Sequence, residues 1–168
     1  MQELIGKNIT LVPVRPMHIA EICVWSESLA ESYFLLDSAL PLSTDRLALE
    51  IADKARQLFI VQDSKGISQG IIKAFNLDFT HKRGALHFTM RPSKNNTKLM
   101  GEALLLLCAT INKKQGIINF FTQCFTTETE YKKVLAQAGA QLAGTLRNHS
   151  ILNGTSVSVD IMQLHYKG

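Results

Sequence analysis

The sequence predicts an α/β (α+β) fold in which a mixed sheet carries helices on its faces, and three observations predict it. Short apolar runs rich in branched and aromatic residues alternate with helix-forming stretches along the whole chain of 168 residues. One helix, 98–114, has a middle (103–109, ALLLLCA) that is apolar on every side, which reads as a buried helix rather than an amphipathic one. That helix lies between two strand-like runs, 85–90 and 117–125, and the continuous apolarity of the second suits a central strand parallel to the first.

The elements follow in order. Residues 9–14 (ITLVPV) read as a strand, with Pro13 marking an edge or bulge. Arg15-Pro16 turns the chain into a helix from about His18 to Ala30, with Ile19, Ile22, Cys23 and Leu29 facing inward. A second helix runs from about Thr44 to Gln57, capped by Ser43 or Thr44, with Leu47, Leu49, Ile51 and Ala52 at apolar positions. Between them, 33–36 (YFLL) and 40–42 (LPL) form an apolar connection. Two strands, 58–62 and 70–76, meet across Asp63-Ser64-Lys65-Gly66, a strong hairpin signal. The turn 81–84 leads to the strand 85–90, which Arg91-Pro92 ends before a polar loop at 93–97.

The buried helix 98–114 stops near Gly116. After the strand 117–125, Thr127 or Thr129 caps a helix through Ala138 that Gly139 stops. Strands 141–147 and 156–164, joined across Asn153-Gly154, close the chain. No internal repeat or linker divides this order, so one domain spanning residues 1–168 is expected.

A buried helix entered from a buried strand through a polar loop leaves its first amides bare, and bare amides at a helix start suit an anion such as a phosphate. The net charge of +4 favours an anionic ligand. The lysines and arginines are scattered, which argues against a nucleic-acid surface. Three widely spaced cysteines (Cys23, Cys108, Cys124) form neither a zinc pattern nor a disulfide framework and read as reduced core thiols, so no metal is expected. The residues MQELIGKN carry no apolar signal region and the longest apolar run is far too short to span a bilayer, which predicts a cytoplasmic protein without membrane association. No Gly-x-Ser-x-Gly elbow or Walker loop is present.

Several local patterns carry a resemblance. Leu4-Ile5-Gly6 and then Leu11-Val12-Pro13-Val14-Arg15-Pro16 stand at the start, and Trp25 lies in the first helix. Glu102-Ala103-Leu104 opens the body of the buried helix, and Ala138-Gly139 ends the next one. Gly144-Thr145-Leu146-Arg147, Leu152-Asn153-Gly154 and Asp160 follow. In this order the patterns resemble the GNAT acetyltransferase superfamily, in the branch typified by the RimJ/RimL-type N-terminal acetyltransferases of ribosomal proteins, over almost the whole chain. The resemblance implies a mostly antiparallel sheet of six to seven strands, splayed between the fourth and fifth. It implies acetyl-CoA as co-substrate and an amine as acceptor, either a protein N-terminus or a small molecule, in a monomer or homodimer. The pantetheine arm is then expected against backbone groups of Thr89, Met90 and Arg91, with the Met90 amide polarising the thioester carbonyl. The pyrophosphate is expected on the loop and first turn formed by Asn95, Asn96, Thr97, Lys98, Leu99 and Met100.

The sequence departs from that family at functional positions. Counting back from Glu102, the phosphate-loop places are Asn95, Lys98 and Met100, so the glycine that lets backbone approach phosphate is replaced by Lys98. Thr129 stands for an asparagine that touches the cofactor, Lys132 for a serine proton donor, Ser150 for a glutamate base and Ala140 for a phenylalanine. Two histidines, His149 and His87, remain as titratable groups suited to base work. The missing glycine and carboxylate keep a second reading open, a non-catalytic protein of this fold that binds acyl-CoA or a protein partner.

Overall fold

The computed structural model describes residues 1–27, 44–53, 55–91, 96–152 and 154–167, with the backbone alone for residues 25–27 and 46. Eight strands are formed: β1 (Leu4–Ile5), β2 (Ile9–Pro13), β3 (Gln57–Asp63), β4 (Ser68–Asp78), β5 (Arg83–Met90), β6 (Asn119–Phe125), β7 (Gln141–Leu152) and β8 (Thr155–His165). The helices are α1 (Ile19–Glu27), entered through a short 3-10 turn at Pro16–His18, α2 (Thr44–Ala52), α3 (Thr97–Gln115) and α4 (Thr129–Gln137). The strands make one sheet in the order β1-β2-β3-β4-β5-β6-β8-β7. Every neighbouring pair is antiparallel except β5 and β6, which run parallel because α3 connects them.

The two faces of the sheet bury different clusters. On one, α3 and α4 cover Leu11, Phe59, Ile72, Leu86, Phe88 and Phe120. On the other, Ile22 of α1 and Leu47 of α2 pack against Leu58, Ile60 and Ile71. Alternation along β4 places Lys73 and Phe75 on the same face as Ile71, and the register Lys73↔His87 and Phe75↔Ala85 adds His87 and Ala85 to it. This parity decides which side chains meet which side of the site.

The hairpin between β3 and β4 forms as its sequence predicts. The Asp63 carboxylate accepts the Lys65 and Ile67 amides at 2.9 and 3.0 Å, and Gly66 supplies the positive φ of 75°. The stop at Gly116 is also formed, with φ 69° and its amide on the Asn112 carbonyl at 2.8 Å.

Four expectations differ from the structure. The sheet gains the two-residue β1, too short to give a pattern, paired Leu4↔Leu11 and Ile5↔Thr10. α2 stops at Ala52 rather than Gln57, because Asp53 turns its carboxylate onto the Ala55 amide and the Arg56 guanidinium, both at 2.9 Å. β7 continues beyond Arg147 to Leu152, its period broken by register shifts and by Asn148 at φ 50°. α3 is buried along the stripe Met100, Ala103, Leu104, Leu107, Cys108 and Ile111, while Leu105 is 38% exposed, so the helix is not enclosed all round. The expected end of the first helix at Ala30, the segments 33–36 and 40–42, Ser43 and Asn153 lie outside the described residues, as does Asn95.

Candidate active site

β5 and β6 pair only at Arg83↔Asn119, Gly84↔Phe120 and Ala85↔Phe121. Beyond that point they part. β5 goes on to Met90 with β4 alone, and β6 goes on to Phe125 with β8 alone. Arg91 donates its amide to the Gln69 carbonyl at 2.8 Å. In an antiparallel ladder the residues facing the partner alternate, so Thr89 and Arg91 direct their amides to β4, while Phe88 and Met90 direct theirs into the gap. Of the three residues expected to hold a pantetheine arm, Met90 is therefore the one whose backbone faces the opening. Gly70 makes the close approach of β4 possible, because a Cβ there would lie 2.3 Å from the Thr89 carbonyl oxygen.

A side chain of α4 reaches the vertex of the gap. Tyr131, from the first turns of α4, stacks on Phe88 with ring centroids 3.9 Å apart and planes within 1°. Its hydroxyl is 2.9 Å from Thr122 Oγ1, on the first β6 residue past the last pair with β5, and 3.1 Å from His87 Nδ1. Burial raises the tyrosine far above its ordinary value, so it is a neutral hydroxyl, and the Phe88 amide bears on the same oxygen. His87 is buried on the opposite face, and burial first, then the Lys73 charge, lower its pKa from 6.5 to about 3.

A cavity of about 190 Å³ opens beside this vertex, lined by Phe75, Asn76, Ala85, His87, Phe121 and Gln123 among others. Next to it Lys73 is fully buried, with its ammonium 4.4 Å from the Phe75 ring centre and 3.6 Å from Glu50 Oε2 of α2. Glu50 also binds the Arg56 guanidinium. The buried ammonium thus has its counter-charge in place, which a desolvated ion requires.

At the start of α3, Met100 makes the first helical hydrogen bond, to the Asn96 carbonyl at 3.0 Å, which leaves the amides of Thr97, Lys98 and Leu99 without helical acceptors. Asn96 and Thr97 are buried, Lys98 is exposed, and Leu99 is half-buried against the core. Met100 is fully buried, packed inward beneath the loop rather than into it. Among the described residues, two buried polar atoms of the segments on either side of the loop, Thr89 Oγ1 on β5 and Asn96 Nδ2 ahead of α3, have no hydrogen-bond partner. An open groove of about 890 Å³ follows α3 from Lys7 and Lys98 past Leu105 towards Tyr166.

The remaining expected positions fall outside this cluster. His149 is exposed on β7, with β8 between it and β6. Thr129 is exposed at the first residue of α4. Lys132, at the expected serine position, turns to β8, with its ammonium 2.5 Å from Asp160 Oδ2 and 2.7 Å from the Thr126 carbonyl. Lys133 pairs with Glu130 at 2.5 Å. Tyr131, one residue before Lys132, is the group that sequence reasoning missed. The inward stripe Tyr131, Val134, Leu135 and Ala138 was the available signal, since an i, i+3, i+4, i+7 spacing marks the buried helix face. Among the described residues no cluster of His, Cys, Asp and Glu is arranged to hold a metal ion, and no helix is long and apolar enough to cross a membrane.

Comparison with known proteins bears on this geometry. The model of the acetyltransferase (GNAT) domain family matches residues 42–158. No curated protein matches the sequence. Among solved structures, spermidine N-acetyltransferase from Vibrio cholerae in complex with CoA and spermine is similar at TM-score 0.80 and 13% identity, covering 94% of this chain and 95% of that one. RimL, a ribosomal alpha-N-protein acetyltransferase in complex with coenzyme A, is similar at TM-score 0.80 and 13% identity, with 98% of both chains covered. An acetyltransferase from Salmonella typhimurium that modifies the N-terminal serine of a ribosomal protein gives TM-score 0.81 at 12% identity, covering 99% of this chain and all of that one. At such identities the likeness is one of fold.

Proposed function

The chain belongs to the GNAT acetyltransferase family, and from that premise we propose that it is an acetyl-CoA-dependent N-acetyltransferase acting on a primary amine. One observation carries the reading. β5 and β6 separate after Ala85 and Phe121, and the alternation of the ladder turns the Phe88 and Met90 amides into the opening, where the Phe88 amide meets the Tyr131 hydroxyl and the Met90 amide faces the place of a ligand. Amides along an unpaired strand edge accept an extended chain that carries amides of its own, as the pantetheine arm does.

The residues around the opening fit that ligand. Thr89 Oγ1 and Asn96 Nδ2 are buried polar atoms without partners among the described residues, and such atoms are costly unless a ligand satisfies them. The bare amides of residues 97–99 suit the pyrophosphate, and Lys98, exposed beside them, adds a positive charge at the mouth of the α3 groove. The Met90 amide faces the place where a thioester carbonyl would need a donor.

The acceptor enters from the other side. The cavity beside His87 lies where Phe75, Asn76 and Gln123 border the vertex, so an amine there meets the gap from the face opposite α3. Tyr131 supplies a hydroxyl at the point where the strands part, 2.9 Å from Thr122 Oγ1, and we assign it the proton that a departing thiolate takes up. Base work is placed at His87, which lines the cavity, rather than at His149 two strands away. The acceptor class takes in both small polyamines and protein N-termini, the acceptors of the similar spermidine and ribosomal-protein N-terminal acetyltransferases.

A two-stage assay tests the reading. Acetyl-CoA at one hundred times its dissociation constant adds about 2.7 kcal/mol of stability to a protein that binds it when folded, and a corresponding rise in melting temperature is expected. Free thiol should then appear when spermidine or a serine-initiated peptide is added. No stabilisation by any acyl-CoA contradicts the proposal. Stabilisation without thiol release from a wide panel of amines assigns the chain to the non-catalytic reading instead.

A further inference from the structure

We infer that His87 and Tyr131 act as one unit, a proton relay that crosses the sheet through the gap between β5 and β6. The inference rests on the acetyltransferase reading above and specifies how its protons move. The two residues come from opposite faces. His87 shares the face of Lys73 and Ile71, whereas Tyr131 belongs to α4 and packs among Phe88 and Leu86. In a closed sheet a backbone ladder would separate them. Here the strands have parted, and His87 Nδ1 lies 3.1 Å from the Tyr131 hydroxyl, which is itself 2.9 Å from Thr122 Oγ1. The contact joins the cavity on one side of the sheet to the interior of the gap on the other.

Neither residue suits the chemistry alone. Burial and the nearby Lys73 charge suppress the imidazolium, and burial suppresses the tyrosinate. A lone His87 would be too weak a base for an amine, and a lone Tyr131 too weak an acid for a thiolate. Joined by a hydrogen bond they need form neither ion, because a proton can enter the imidazole as another leaves the hydroxyl. Thr122 Oγ1 and the Phe88 amide hold the hydroxyl oxygen at the vertex, and the ring stack on Phe88 fixes its direction.

The step balances as follows. The amine nitrogen bonds to the acetyl carbon, and the carbon–sulfur bond breaks with its electron pair on sulfur. One proton passes from nitrogen to His87 Nε2, the Nδ1 proton passes to Tyr131 Oη, and the original hydroxyl proton passes to sulfur. The products are an amide and a free thiol. The imidazole finishes in its other tautomer and exchanges back through the cavity when the products leave.

Tyr131→Phe, His87→Asn and the double variant test the inference, with acetyl-CoA and either spermidine or a serine-initiated peptide as probes. Stabilisation by acetyl-CoA reports whether each variant keeps its fold and binds the donor. Each single change should lower kcat by about a hundredfold, the usual scale for lost acid–base catalysis, with KM for acetyl-CoA little changed. The double variant should be no slower than the slower single one, since residues acting as a unit are not additive. In mixtures of light and heavy water the wild-type rate should curve with deuterium content, reporting more than one proton in flight. Losses that multiply in the double variant, or singles that keep full kcat, overturn the relay while leaving the acetyltransferase reading intact. A wild-type protein that releases no thiol with any amine overturns that reading and the relay together.

Discussion

The Tyr131 ring lies flat on Phe88, centroids 3.9 Å apart, and this stack ties α4 to the strand that forms one wall of the gap. Phe88 is 1% exposed and belongs to the larger core cluster, so the contact does two things at once. It closes the core under α3 and α4, and it sets the height of the Tyr131 hydroxyl at the vertex. Phe88→Ala should therefore cost about 3–5 kcal/mol by denaturant unfolding, as buried phenylalanine truncations do. Phe88→Leu should cost less yet still slow turnover, because it removes the flat surface that orients the phenol.

Gly70 faces a different constraint. An added Cβ would sit 2.3 Å from the Thr89 carbonyl and 3.1 Å from Met90 Cα, both backbone atoms of β5. Gly70→Ala should destabilise the protein by more than about 2 kcal/mol, as strain or overpacking in a core does, and should weaken acetyl-CoA binding by shifting β5. Gly101→Ala is the contrasting change. Its Cβ would meet Gln137 at 3.6 Å, an ordinary contact, and alanine gains up to about 1 kcal/mol over glycine within a helix. Melting curves of the two variants should move in opposite directions.

Lys98 is exposed in the first turn of α3, where the amides of residues 97–99 precede the first helical hydrogen bond among the described residues, Met100 to Asn96. Lys98→Glu should weaken acetyl-CoA binding about tenfold or more in calorimetry at low salt, with the gap from wild type narrowing as salt screens the charge. Stability should change little, because surface substitutions of this kind stay within about 0.5 kcal/mol.

His87 makes stability depend on acid. Its pKa falls from 6.5 in the unfolded chain to about 3 when folded, so as pH drops the unfolded state takes up the proton first. The contribution is flat above pH 6.5. Below that, each pH unit removes about 1.4 kcal/mol until pH nears the folded value. Unfolding free energies measured between pH 7 and 4 should fall accordingly, and His87→Asn should remove this component of the slope.

Much of the architecture was legible because it is written in apolar runs. The β3–β4 hairpin announced itself through Asp63 and Gly66, and α3 through its apolar centre and Gly116. Two matched patterns turn out to touch: Glu102 accepts the Asn8 amide at 2.8 Å and the Asn8 side chain at 2.9 Å. A Cβ at Gly6 would lie 2.8 Å from the same carboxylate. The glycine in the opening and the glutamate of α3 thus form one joint between β1, β2 and the buried helix. β1 itself has two residues and no pattern to read, and the end of α2 depends on Asp53 bonding its neighbours.

The site was less legible because it rests on which way side chains turn. Counting motif positions led to Lys132, whereas the helix directs Lys132 to Asp160 and its neighbour Tyr131 to the gap. Motif counting alone does not separate two adjacent residues about 100° apart on α4; the apolar stripe through Tyr131 does. Likewise, Thr89, Met90 and Arg91 were grouped by sequence, and only the register with β4 singles out the Met90 amide.

The most direct measurement follows the backbone amides of an isotopically labelled protein as acetyl-CoA is added. The Phe88 and Met90 amides, with those of residues 97–99, should shift together and saturate at one dissociation constant. The amides on the closed part of the ladder, Gly84 and Ala85, should move far less. Saturable binding that leaves Phe88 and Met90 unmoved and shifts amides elsewhere would contradict the proposed binding of the donor in the gap.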